Sequence, residues 1–491
     1  MFKAWLCLFT ALTTVGRGIS APINARFLSF SSYLGPVVNL PFDDAAVLRV
    51  AEVLRLGSLR YPGGSTSNEW NLTTGRWVHS IHDLYANRTA ALPVGTFGPA
   101  KYMSGIAGKL VTPPIFDLNV VTDPDPASQI SYLQSVNVTP AYLELGNEKA
   151  IANITEYLHN VVPVVEAARS TFPDALVSII GCFGWADFSA CAEKLKKARP
   201  LSSSPARTLF DAVSIHHYGP SNSSIAKATT DAAKRMWTLA PARGTLAHTE
   251  QQVATDIGAD VEIWLDEFNW GGPWAGTVWP NETHGGLRGL HWATHVLAAI
   301  DVTAEAKAHG RTGFGALMWY SLFYQDASPW SYWASVAKVP NQQNAPHLVE
   351  FDAVAQVFAH LTYVAFACGY DDVVPVRNLS QATVQSIPCI LAAKFSSTNR
   401  SVSSSTVVAV NVCDRAVQIP ATNWPLDLQT DDHDVTVVTY SGYDVGGWVL
   451  ADDIESLMTP PWQHGPIRAP VTSGLPTSLD DISLVIVTAT F

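Results

Sequence analysis

Two glutamates stand at the ends of strand-like apolar runs: Glu148 in "YLELGNE" (142–148) and Glu267 in "IWLDEFNW" (263–270). A pair of carboxylates brought together from distant parts of a chain suits cleavage of a glycosidic bond. One must carry a proton and give it to the leaving oxygen. The other must be ionised and attack, and a separation of about 5 to 5.5 Å between them serves a retaining double displacement. A lone glutamate at a strand end is more often a cap or a salt-bridge partner, so the pair gains meaning only from elements that bring both to one rim.

Short β-branched or aromatic runs alternate with stretches of helical length, the pattern of βα units. The strand candidates are "FLSFS" (27–31), "SLRY" (58–61), "PIFDLNV" (114–120), "AYLELGNE" (141–148), "LVSIIG" (176–181), "AVSIHHYG" (212–219), "EIWLDEFNW" (262–270) and "FGALMWYSLF" (314–323). Between the first two, Asp43 is a candidate cap for "DAAVLRVAEVLRL" and Gly57 a candidate stop. Eight such units in about 340 residues match the count and size of a (β/α)8 TIM barrel, with an open doubly wound sheet as the structural rival. Barrel chemistry sits at the C-terminal ends of the strands, and Glu148 and Glu267 lie near the ends of the fourth and seventh. Beyond 366 the pattern becomes alternating strands without helices, "CILAAKF", "TVVAVNVCD", "HDVTVVTYSG" and "ISLVIVTATF". These predict a C-terminal antiparallel β-sandwich. The expected organisation is a signal peptide over 1–20, a catalytic barrel over 21–366 and a sandwich over 367–491.

Composition narrows the function further. Apolar residues make up 47% of the 491, charged residues 15%, and the formal net charge is -12, which argues against a nucleic-acid partner. The basic cluster "EKLKKAR" (193–199) reads as a solvated helix face. The N-terminus, with Lys3, an apolar run and small residues around Ala21, has the form of a secretory signal. Secretion and no membrane insertion are therefore expected. Sequons at Asn71, Asn87, Asn137, Asn153, Asn222, Asn281, Asn378 and Asn399 agree with that route. Once Cys7 leaves with the signal, Cys182 and Cys191 are the nearest pair for a disulfide. There is no CxxC or HExxH for zinc, no G-x-S-x-G elbow, no phosphate loop and no G-x-G-x-x-G after the first strand. Neither metal nor cofactor is expected.

At this level the motifs resemble clan A of the retaining glycoside hydrolases, and most closely family 79, which contains β-glucuronidases and heparanase. "FLSFS", "LRYPGG", "ELGNE", "HHY" and "WLDE" look like that family's first, second, fourth, sixth and seventh strands, in order. The resemblance implies that Glu148 is the acid/base, Glu267 the nucleophile, Asn147 a partner of a sugar hydroxyl and Tyr218 a hydrogen-bond partner of the nucleophile. Lys149 stands where the family usually has proline, and "YQDASPWSYW" (324–333) has no clear match to its uronate-binding loop. Arabinofuranosidase-like and endoglycanase-like members of the clan therefore remain open, as does a carbohydrate-binding protein without turnover on the same scaffold.

Other residues complete the expected substrate site. Neighbours on a strand point to opposite faces, so His216 and His217 cannot easily serve one site, and His217 is taken as its histidine. Trp70, Trp185, Trp270 and Trp319 are candidate stacking platforms for a sugar or pieces of core, with Trp270 the choice for the site. Tyr320 is a further contact. Arg60 either binds substrate or ties the barrel mouth together. Alternation assigns Asp266 a supporting role, turned away from its neighbour's face.

Overall fold

The computed structural model describes residues 24–31, 40–77, 93–148, 154–182, 188–201, 204–218, 241–269, 286–324, 336–338, 349–351, 353–368, 370–384, 387–397, 404–413, 415–429, 434–441, 449–450, 471–473, 475–479 and 483–490. The signal-like N-terminus and Trp185 lie outside them.

Eight parallel strands form the first unit: β1 (Ser29–Phe30), β2 (Arg60–Tyr61), β3 (Ile115–Leu118), β4 (Tyr142–Leu145), β5 (Leu176–Ile180), β6 (Ala212–Tyr218), β7 (Glu262–Asn269) and β8 (Phe314–Trp319). They pair in the order β1-β8-β7-β6-β5-β4-β3-β2. A parallel bridge from Phe30 to Leu59, beside β2, joins the two ends. This is the closed (β/α)8 barrel that the run of βα units predicts. Its larger helices are α1 (Ala45–Leu54), α2 (Ser128–Ser135), α3 (Ile154–Thr171), α4 (Phe188–Ala198), α5 (Pro241–Asp256), α6 (Gly286–Ala308) and α7 (Ala353–Ala367). A short helix, Pro99–Ser104, takes the place between β2 and β3.

Two local expectations about α1 change. Its cap is Asp44, whose side chain accepts from the Ala46 N–H, so Asp43 is one residue early. The helix ends with Arg55 in the left-handed region, before Gly57 is reached. Gly57 is needed for close approach instead: a Cβ there would lie 1.7 Å from the Ala25 carbonyl oxygen. On α4, Lys197 pairs with Glu193 one turn back at 2.6 Å, and both are exposed, as a solvated face requires.

Side-chain alternation divides the barrel into two environments. Phe116, Leu118, Leu143, Leu145 and Ile179 point outward into the main apolar core beneath the helices. Ile115, Ala212, Trp264, Ala316 and Met318 form a separate cluster, packed with Tyr142 and Leu176. Arg26 lies against this cluster, its guanidinium 4.3 Å from the Tyr142 ring centre and 3.2 Å from Glu262. Further along the same strands, toward their C-terminal ends, the inward positions become polar: Asp117 on β3, Glu144 on β4 and Asp266 on β7.

The C-terminal unit is an antiparallel β-sandwich. Its principal sheet consists of β9 (Asp372–Pro375), β10 (Ile390–Ser396), β11 (Ser404–Asn411), β12 (Asp434–Ser441), β13 (Val471–Ser473) and β14 (Ser483–Thr490), in the order β9-β10-β11-β14-β12-β13. Every residue of β11 is buried, so both faces of the sheet are covered. Helix α6 packs on β9, β10, β11 and β14, while also contacting β8, α5 and α7 of the barrel. Polar contacts reinforce the joint: Arg377 and Arg243 both bind Asp301 of α6, at 2.6 and 2.5 Å. The Cys182–Cys191 bridge forms as sequence proximity suggested, and a second joins Cys389 to Cys413; neither includes Cys368. Among the described residues no helix is long and apolar enough to cross a membrane.

Buried histidines give this fold a pH dependence. Burial holds His295 of α6 down at about 3 and His360 of α7 at about 4, against an ordinary value of 6.5. The unfolded chain takes up protons that the folded chain refuses. Stability from these groups is therefore complete above about pH 6.5 and is lost as pH falls toward the folded values, at about 1.4 kcal/mol per unit for each group. Between pH 6.5 and 5 the two together should remove about 3 kcal/mol, which urea unfolding across that window would show. A constant midpoint would contradict it.

Candidate active site

Arg60 is the centre around which the mouth of the barrel is built. Its side chain is fully buried at the end of β2. Nε and Nη2 grip the two oxygens of Glu144 at 2.7 and 2.8 Å. Nη2 also donates to Asn147 Oδ1 at 2.8 Å and lies 2.8 Å from Asp117. Nη1 donates to Glu267 Oε1 at 2.8 Å and to Ser31 Oγ at 3.3 Å. The rigid planar fork of a guanidinium is what allows one side chain to serve so many acceptors. Of the two roles open to Arg60 in the sequence, the structure supports the tie across the mouth.

Glu267 reaches this site through an irregularity in β7. Opposite β6, Ile215 aligns with Leu265 but His216 aligns with Glu267, so Asp266 is an extra residue in the ladder. A bulge interrupts alternation, and both Asp266 and Glu267 face Arg60. This corrects the expectation that Asp266 turns away. The second oxygen of Glu267 accepts from the Tyr218 hydroxyl. Burial and the adjacent Glu267 push that hydroxyl well above its ordinary range, so it remains a donor.

Glu148 is presented differently. Gly146 (φ 78) and Glu148 (φ 51) both occupy the left-handed region at the end of β4. A Cβ on Gly146 would lie 2.9 Å from Val120. Between them, Asn147 is held by its backbone: its N–H donates to Asn68 Oδ1 at 2.9 Å, and its carbonyl accepts from Asn68 Nδ2 at 2.8 Å. With Asn147 Oδ1 taken by Arg60, the buried Nδ2 has no protein partner among the described residues. The Glu148 side chain is half exposed and meets His216 Nδ1 at 2.9 Å. That hydrogen bond holds the Glu148 carboxyl below its ordinary range.

One carboxylate oxygen of Glu148, one of Glu267 and a nitrogen of His216 all lie within 4.8 Å of one another. Three such ligand types could in principle hold a cation. Here both Glu267 oxygens already accept hydrogen bonds, one of them from a guanidinium whose charge would repel a metal. The donor set fits a carboxylate pair better than a metal centre.

Of the residues expected from sequence, Glu148, Glu267, Asn147, Tyr218 and Arg60 come together. Tyr320 lies near Tyr218 and helps to push its hydroxyl above the ordinary range. His217 does not join them. It turns to the other face of β6, its ring 5.5 Å from that of His295 on α6. The site histidine is His216, and the period-two rule could have found it: with Tyr218 facing Glu267, the residue two before it shares that face. Trp270 lies outside the described residues. Trp70 and Trp319 are buried in packing, against Trp77 and Phe268 respectively. Asp117 and Glu144 escaped the sequence reading, although a charge inside an otherwise apolar strand was a signal for both. Asn68 sits in "GGSTSNEW" with no comparable mark.

No protein-family model and no curated protein matches the sequence. Solved structures do. A family 51 α-L-arabinofuranosidase from Bifidobacterium longum matches with TM-score 0.62 at 12% identity, over 98% of each chain. An α-L-arabinofuranosidase from Thermotoga maritima gives 0.61 at 14%, over 97% of this chain and 98% of that one. A family 44 xyloglucanase from Paenibacillus polymyxa gives 0.50 at 10%, over 96% and 97%. At these identities the likeness is one of fold, and it runs nearly end to end: this chain has the barrel-plus-sandwich architecture of those proteins.

Proposed function

We propose that this protein is a secreted, N-glycosylated clan A glycoside hydrolase that cleaves O-glycosidic bonds with retention, through a covalent glycosyl-enzyme. The observation that carries the reading is the carboxylate pair, with oxygens within 4.8 Å of each other at the ends of β4 and β7. Inverting enzymes keep their carboxyls about 6.5 to 9.5 Å apart to admit a water.

Each residue then has a task. Glu267, steadied by Arg60 and Tyr218, attacks the anomeric carbon while Glu148 protonates the leaving oxygen. Glu148 next takes a proton from water, which opens the ester and returns Glu267. The buried Asn147 Nδ2 is left for a sugar hydroxyl, which would satisfy an otherwise costly orphan donor. His216 holds Glu148 toward its ionised form, so donation requires the substrate oxygen to displace that contact. Exposed Asn137 and Asn378 are compatible with glycans.

The sequence motifs favour a β-glucuronidase-like exo-enzyme. An arabinofuranosidase reading stands beside it, favoured by the end-to-end match to enzymes of that name. Aryl β-glucuronides, α-L-arabinofuranosides and neutral hexosides, tested in parallel, distinguish the two. Proton NMR of the first-formed hemiacetal should show the substrate's own anomer. Inverted product would rule out the double displacement, and binding without release across the panel would leave a carbohydrate-binding protein.

A further inference from the structure

We propose that Asp266 is a positioning residue that carries a proton: as a carboxylic acid it donates to Glu144 and keeps the Arg60 fork shared between Glu144 and Glu267. The inference rests on the reading of Glu267 as nucleophile for its kinetic consequences only.

Charge comes first. Four carboxyl groups, Asp117, Glu144, Asp266 and Glu267, approach the single guanidinium of Arg60. All but Glu267 are sealed from solvent at 1% exposure or less. Were all four ionised, one positive charge would face four negative ones in a dry pocket, an arrangement burial penalises heavily.

Hydrogen bonding then decides which group holds a proton. Glu144 receives two well-formed bonds from Arg60 and Glu267 receives bonds on both oxygens, as ionised carboxylates should. Neither Asp117 nor Asp266 accepts a hydrogen bond among the described residues, but Asp117 lies 2.8 Å from Arg60 Nη2, in close ion-pair contact, and Asp266 does not. The nearest nitrogens paired with Asp266 are Arg60 Nη2 at 3.4 Å and His216 Nε2 at 3.5 Å. An ionised buried carboxylate without donors is untenable, whereas a protonated one facing Glu144 is itself a donor. Burial and the neighbouring Glu144 push Asp266 well above the usual carboxylate range, while the fork of Arg60 and the bond from Asp266 keep Glu144 below it.

The ionisable groups facing Asp266 are Arg60 from β2, Glu144 from β4, His216 from β6 and Glu267 beside it; Asp117 of β3 shares the same guanidinium. The bulge in β7 places Asp266 among them. A negative charge there would oppose ionisation of the adjacent Glu267, which must be ionised to attack.

Infrared spectroscopy tests the protonation directly, whatever the role of Glu267. Wild-type protein labelled with carbon-13 aspartate should show, at pH 8, a carboxylic-acid carbonyl band that shifts with the label. Asp266→Asn should remove part of it. Absence of a shifting band, or a band unchanged in the variant, overturns the proposal. Kinetics gives the second arm. Asparagine is neutral and still donates, so the acidic limb of kcat/KM should stay within about 0.3 pH unit. Removing a true negative charge beside Glu267 would instead move it down by about one unit or more. Asp266→Val, which cannot donate, should lose about tenfold or more in kcat/KM. Equal activity of the Val and Asn variants would also overturn the proposal.

Discussion

Glu148→Ala should still form the glycosyl-enzyme rapidly from a dinitrophenyl glycoside and then stall. That leaving group departs without a proton, but no base remains to activate water for the second step. Azide needs no such base, so it should restore turnover and give a glycosyl azide of retained configuration. On a poor leaving group the same variant should lose roughly 10² to 10⁴ in rate. Glu267→Ala should be slow on both substrates, down on the order of 10⁴ or more, because the covalent route is closed. Any azide product it yields should be inverted. Retention in the azide product of Glu267→Ala, or equal losses on both leaving groups for Glu148→Ala without an azide response, would reverse or discard the two roles.

Arg60→Met should damage both stability and catalysis. Methionine fills part of the volume but removes the one cation among Asp117, Glu144, Asp266 and Glu267. Stranding buried charge in this way costs about 3 to 5 kcal/mol. The carboxyls would respond by holding protons more tightly than in the unfolded chain. Folded pKa values raised above unfolded ones mean stability retained at low pH and lost as pH rises, so the deficit should be larger at pH 8 than at pH 5. Arg60→Lys should recover part of the stability yet little activity, since an ammonium cannot grip Glu144 with two nitrogens while reaching Asn147 and Glu267. Chemical unfolding at the two pH values, alongside kcat, measures both effects. A variant within about 1 kcal/mol of the parent at pH 8 would show that the cluster is not held by Arg60.

Much of this site was legible because its residues obey regular spacing. Glu148, Tyr218 and Arg60 fall at or just beyond the ends of strands whose apolar alternation is plain in the sequence, and a barrel gathers such ends at one rim. Legibility fails where regularity does. Asp266 faces inward because β7 bulges, which no period-two reading anticipates. His216 and His217 are indistinguishable by residue type, and only the face shared with Tyr218 separates them. Asn68 acts through the backbone of a residue far along the chain, a long-range pairing without local signature. In the sandwich, the long strands of alternating valine were evident, while β9 and β13, with four and three residues, were too short to show a period.

Helix α6 bears on the history such a molecule can have. Every residue from Arg288 to Thr303 is buried, because the barrel closes over one side and the sandwich over the other. Over that stretch a helix with two interiors keeps no face for water. Exchange of the sandwich for an unrelated module, a common route by which enzymes acquire new appendages, would strip half of that helix at a stroke. The two units are therefore bound to change together, each a constraint on the other's sequence, and recombination that cuts between them would be selected against even where it leaves Glu148 and Glu267 intact.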